Sequence, residues 1–128
     1  MIPPAAEVAL AWEEAVNTRD EARLLALSDP EIEIVGPRGS AWGHAVLADW
    51  LGRAGLSLET RRRFGRDSVI VHGGQGRWHD PETDAIVGQA ALASHYRVEG
   101  GQVAYVARYD DLRAALEHAG LDETDALT

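Results

Sequence analysis

The chain has 128 residues, 45% of them hydrophobic, and carries a formal net charge of −9. That length suits one domain, 1–128, able to bury about two thirds of its unfolded surface. The acidic balance opposes nucleic acid and anionic membranes as partners, and the absence of cysteine and lysine excludes disulfides, thiolate or Schiff-base catalysis and a phosphate-loop lysine.

The segment "MIPPAAEVALAWEE" has no positive charge ahead of its apolar part, unlike a signal peptide. No apolar run approaches the roughly 18 residues of a membrane span. The sequence therefore reads as that of a soluble, cytoplasmic protein. Pro3 and Pro4 suit a helix start, after which Val8, Ala11, Trp12, Ala15 and Val16 form an apolar stripe at helical spacing. "TRDE" predicts that Thr18 caps a second, short helix with Glu21 completing a capping box. Ser28-Asp29-Pro30 ends it.

"EIEIV" alternates acids with apolar residues and predicts a half-buried strand. "GPRGSAWG" reads as a loop, and Val46, Leu47, Trp50 and Leu51 mark the buried side of a third helix. Strands are predicted at 58–64, 68–79, 86–98 and 102–109, with a turn at "DPET" and a tight hairpin at Gly100-Gly101. "GGQG" at 73–76 lacks the Lys-Ser/Thr of a phosphate loop. It reads instead as a bend or bulge in a curved sheet. Alternation splits the Arg61-Arg62-Arg63 patch between two faces. A last helix carries Leu112, Ala115, Leu116 and Ala119 and stops at Gly120, and residues 122–128 read as a frayed acidic tail.

This order, carried by "AWEEAVNTRD", "LLALSDPEIEI", "GSAWGHAVLADWL" and "SHYRVEGGQVAYVARYDDL", resembles the nuclear transport factor 2-like superfamily, whose members include ketosteroid isomerase and the SnoaL-like polyketide cyclases. The resemblance covers nearly the whole chain. It implies an α+β cone: a strongly curved, mainly antiparallel sheet packed against three helices from the first half, with a short C-terminal helix. It also implies an apolar pocket inside the sheet and a homodimer formed on its outer face.

The positions that do the chemistry in ketosteroid isomerase are not matched. Its oxyanion-hole tyrosine falls at Trp12, its oxyanion-hole aspartic acid at Ser94, and its general base near Val35. In the cyclases an acid lies late in the last strand, where this chain has Arg108 and, two residues on, Asp110. The resemblance therefore leaves three readings: a binder of a small apolar ligand with one or two polar groups, a SnoaL-like isomerase, cyclase or hydrolase with Asp110 as acid–base and Arg108 as oxyanion support, or a ligandless dimerisation module. Asp110 also reads as a helix cap with Arg108 as its counter-ion.

The hairpin register decides which side chains share the pocket. A plain two-residue turn at Gly100-Gly101 opposes Ser94 to Ala107 and puts Arg108 on the other face. A bulge instead puts Leu92, Ser94, Tyr96, Val106, Arg108 and Asp110 on one face. The resemblance favours the second arrangement, which predicts those residues, with Trp12 and Trp50, as pocket lining and leaves Tyr105 and Tyr109 outside. No cofactor is implied, and His72, His79 and Asp80 match no metal-ligand spacing.

Overall fold

The computed structural model describes residues 3–127. Helix α1 (Pro4–Asn17) begins at proline and buries Ala6, Ala9, Trp12, Glu13, Ala15 and Val16. Of the predicted stripe Trp12, Ala15 and Val16 are buried and Val8 and Ala11 only partly so, and the buried face also takes in the carboxylate of Glu13. Thr18 closes α1, its hydroxyl donating to the Glu14 carbonyl at 2.9 Å. Asp20 caps α2 (Glu21–Ala26) by accepting from the Arg23 amide. The capping box expected from Thr18 and Glu21 does not form, because Thr18 is still held by the preceding helix.

Strand β1 (Ser28–Gly36) turns back into β2 (Gly39–Trp42), so the segment read as a loop is a hairpin. Helix α3 (His44–Ala54) follows and ends at Gly55, whose φ of 59° is left-handed. Four long strands come next: β3 (Leu56–Arg66), β4 (Val69–His79), β5 (Ile86–Glu99) and β6 (Gln102–Tyr109). Helix α4 (Leu112–Ala119) then leads through a 3-10 turn at Glu123–Asp125 into β7 (Ala126–Leu127). The residues expected to fray are therefore ordered as far as Leu127, with a capping box at Asp122 and Asp125 and pairing of β7 to β3. Thr128 lies outside the described residues.

The sheet runs β2-β1-β6-β5-β4-β3-β7, antiparallel except where β1 meets β6. It is an α+β fold with a curved mixed sheet, as expected. On the inner face α1 and α3 pack over Ile32, Ile70, Tyr96, Val98, Val103 and Val106. On the outer face α4 packs Ala115, Leu112 and Leu116 against Phe64, Val71, Ala93 and Tyr109. No helix among the described residues is long and apolar enough to cross a membrane.

The β5–β6 hairpin settles the register left open by the sequence. Gly100 and Gly101 both take positive φ in a two-residue turn between Glu99 and Gln102. A bulge between Arg97 and Val98 then shifts the pairing, so that Tyr96 opposes Val106 and Ser94 opposes Arg108. One extra residue moves every later side chain to the other face.

Candidate functional site

The inner face encloses a cavity of about 430 Å³, within the range of small-molecule sites. Leu56 and Leu58 from β3, Leu92 and Ser94 from β5, and Val106 and Arg108 from β6 line the sheet side. Trp12 from α1 and Val46, Leu47 and Trp50 from α3 form the helical wall, and the β1–β2 turn with Arg38 rims the opening. Trp12 and Trp50 stack with ring centroids 6.4 Å apart. Trp12 is buried, and its indole N–H donates to the Ser28 hydroxyl at 2.9 Å. That hydroxyl donates onward to the Leu24 carbonyl at 2.7 Å. The indole N–H is therefore already bonded, and the buried ring, stacked on Trp50, serves the cavity as apolar wall.

The lining has one sign of charge. Its charged side chains are Arg38, Arg53 and Arg108, with no aspartate or glutamate. Arg53 is neutralised by Asp49 at 2.9 Å. Half-buried Arg108 makes no ion pair among the described residues. Its guanidinium instead lies 6.0 Å from the centroid of the Trp78 ring, a weak cation–π contact. An unpaired arginine beside a serine hydroxyl on an apolar wall can hold an anion or a polarised carbonyl oxygen.

Six of the residues expected to line the pocket do so: Trp12, Trp50, Leu92, Ser94, Val106 and Arg108. Two do not. Tyr96 is fully buried beneath the helices, edge-on to Trp12 at 5.5 Å and to His72 at 5.1 Å. Asp110 lies beyond the end of β6, exposed, outside the cavity and without an ion pair to Arg108. The strand ends at Tyr109 and the chain turns toward α4, so i, i+2 alternation no longer applies. The cap of α4 is Asp111, which accepts from the Arg113 amide at 2.8 Å.

The sequence reading passed over Glu13 and set His72 aside as matching no metal-ligand spacing; both are buried. Glu13 Oε2 lies 2.7 Å from His72 Nδ1, and Glu13 Oε1 accepts from the Thr60 hydroxyl at 2.5 Å. A signal for Glu13 was present: it stands four residues after Ala9 and three before Val16, within the buried stripe. A small void of about 10 Å³, touching Thr60, His72, Leu92 and Ser94, adjoins the main cavity. No group of three or more histidine, cysteine or acidic side chains among the described residues could hold a metal ion.

A second depression between α3 and the turn after β4 mixes Arg19 and Arg53 with Glu21, Asp80 and Asp84. His79 there is tied to Ser57 at 2.8 Å and to the Asp84 carbonyl at 3.1 Å. With Glu82 the depression has four carboxylates against two arginines and little apolar wall, so it is not the leading site.

No family model and no curated protein matches the sequence. Solved structures do match. An NTF2-like protein of unknown function from Cytophaga hutchinsonii superposes with a TM-score of 0.72 at 15% identity, over 89% of this chain and 95% of that one. A candidate SnoaL-like polyketide cyclase from Shewanella putrefaciens gives 0.73 at 14% identity, over 92% and 86%. The fold is the NTF2-like cone. TerC, crystallised with polyporic acid, shares it with a TM-score of 0.72 at 18% identity, over 91% of this chain and 98% of that one. At such identities the NTF2-like cone is what is shared, and one fold hosts many activities.

Proposed function

We propose that the chain is a cytoplasmic small-molecule-binding domain. Its ligand has a flat apolar body and one anionic or strongly polarised oxygen. The observation that carries this reading is Arg108: a half-buried guanidinium without an ion pair among the described residues, at a cavity walled by Trp12, Trp50, Leu92 and Val106. In a chain of net charge −9, a lining whose charges are all arginines selects for negative ligands. The enzyme reading with Asp110 as acid–base draws no support from the geometry, because that carboxylate is exposed and outside the cavity. A ligandless module draws none either, given the open volume.

The test uses the two cavity tryptophans as reporters. Titration with 2-naphthoate should change their fluorescence, and neutral 2-naphthamide should bind about tenfold more weakly, a difference of ~1.4 kcal/mol. Arg108→Met should abolish that preference while leaving 2-naphthamide binding unchanged. Equal binding of both probes to wild type would refute the charge selection, and no binding of either would refute the site.

A homodimer is the second part of the proposal. Trp42, 61% exposed, opposes Glu33, which in turn opposes Tyr105, so one row crosses the outer face. Tyr105 carries His95 edge-on at 5.2 Å and the Arg97 guanidinium at 5.3 Å. Helix α4 covers Tyr109, which moves the centre of the interface toward Trp42 and Tyr105. A specific contact there should bury at least ~1,000 Å² in total. Tyr105→Glu should give a monomer by sedimentation; a wild-type monomer at high micromolar concentration rules the interface out.

A further inference from the structure

Behind the cavity wall lies a group of buried polar atoms without aligned partners. Glu13 Oε2 approaches His72 Nδ1 at 2.7 Å but off the N–H direction, and neither atom has an aligned hydrogen bond. Among the described residues, His72 Nε2 has no hydrogen-bond partner, and the Tyr96 hydroxyl has none within hydrogen-bond geometry, with Ser94 beside it. A buried carboxylate–imidazole pair returns its desolvation cost only when its remaining lone pairs and protons are satisfied. Unsatisfied buried groups are uncommon in native structures and mark places where something else completes the set.

The sheet register connects this group to the cavity. His72 on β4 opposes Ser94 on β5, and Ser94 opposes Arg108 on β6. Directly opposed residues share a face with Cα atoms about 5 Å apart, so Ser94 is the step between the imidazole and the guanidinium. Ser94 also lines both the main cavity and the void of about 10 Å³ that touches His72. That void is the size of one water molecule.

We propose that His72, Ser94 and Arg108 form a proton-accepting subsite for a ligand with an acidic hydroxyl, a phenol or an enol, which is held there as its anion. The ligand's O–H bond breaks and its proton passes to a water in that void, which gives one of its own to His72 Nε2; Ser94, whose hydroxyl can accept and donate at once, holds that water. No covalent intermediate and no redox change is involved, and net charge is conserved. The oxyanion is left beside Arg108 and the imidazolium beside Glu13.

The groups facing His72 are Glu13 from α1, Arg63 and Thr60 from β3, and Ser94 and Tyr96 from β5. Glu13 Oε2 lies 2.7 Å from His72 Nδ1 and places a carboxylate beside the ring. Arg63 stands opposite His72 on β3, its buried Nε without a hydrogen-bond partner among the described residues. Burial pushes the Tyr96 phenol far above its usual range, so that side chain remains neutral.

This inference rests on the cavity being a small-molecule site, and the probes separate the two. 7-Hydroxycoumarin fluoresces with different excitation as neutral molecule and anion, whereas 7-methoxycoumarin has the same body and no acidic proton. At a pH where free 7-hydroxycoumarin is neutral, the bound probe should show the anion spectrum. Glu13→Gln and His72→Gln should bind it as the neutral form, about tenfold more weakly, with 7-methoxycoumarin affinity unchanged. Wild type carrying isotope-labelled histidine guards against a variant that fails to fold. Its His72 ring signals should move to the imidazolium position with 7-hydroxycoumarin and stay put with 7-methoxycoumarin. If both coumarins bind and the hydroxy compound remains neutral, the proton-accepting role is wrong and the cavity stands. If neither binds, the cavity reading fails and this inference falls with it.

Discussion

Gly74 and Glu59 meet backbone to backbone where β3 bulges against β4: a Cβ on Gly74 would collide with the Glu59 carbonyl oxygen. The neighbouring Gly73 is different, since a Cβ there would stand 2.7 Å from Cδ1 of Leu112, the end of a side chain that can shift. Gly74→Ala should therefore cost more than ~3 kcal/mol or prevent folding, and Gly73→Ala no more than about 1.5 kcal/mol. Urea denaturation compares them; equal losses would mean that β3 can retreat from β4 cheaply.

Trp12 ties the cavity wall to α2 through Ser28 and Leu24. Trp12→Phe removes the indole donor and part of a fully packed ring, and should lower stability by about 1–3 kcal/mol. The Ser28 hydroxyl keeps its bond to Leu24, so the change should not unfold α2. Helical circular dichroism equal to wild type, with a lowered denaturation midpoint, is the expected result.

The adjacent acids Asp110 and Asp111 should behave differently. Asp111 accepts the Arg113 amide at the start of α4, and its replacement by alanine should cost about 1 kcal/mol. Asp110 is exposed, so Asp110→Ala should stay within ~0.5 kcal/mol of wild type. The reverse order in chemical denaturation would place the cap one residue earlier.

Burial, with the nearby positive charges of Arg97 and His118, holds the His95 imidazole below its ordinary range. The unfolded chain then binds a proton at higher pH than the folded one does. Stability from this group is fully present above the ordinary histidine pKa of about 6.5 and is lost as pH falls through the lowered folded value. Wild type should lose more stability than His95→Gln between about pH 7 and pH 5. Parallel melting curves for the two proteins across that interval would show that His95 is not the acid-sensitive group.

Most of the element order, the hairpin turn at Gly100-Gly101 and the fold class were readable in the sequence. Each depends on periodicity or backbone preference among neighbouring residues. The same local rules erred where a neighbour in space intervened. Thr18 was claimed by α1 rather than α2, "GSAW" found a strand partner in β1, and the acidic tail was pinned by Arg62–Glu123 and the β3–β7 pairing. Whether Ser94 faces Arg108 was open until the bulge at Arg97/Val98 chose a register, because a slip of one residue inverts a strand's faces. The contact of Glu13 with His72 exists only because α1 packs across β4. Neither residue's neighbours in sequence carry that information: a buried carboxylate–imidazole contact is made by helix-on-sheet packing, and only the tertiary structure decides which two side chains it brings together.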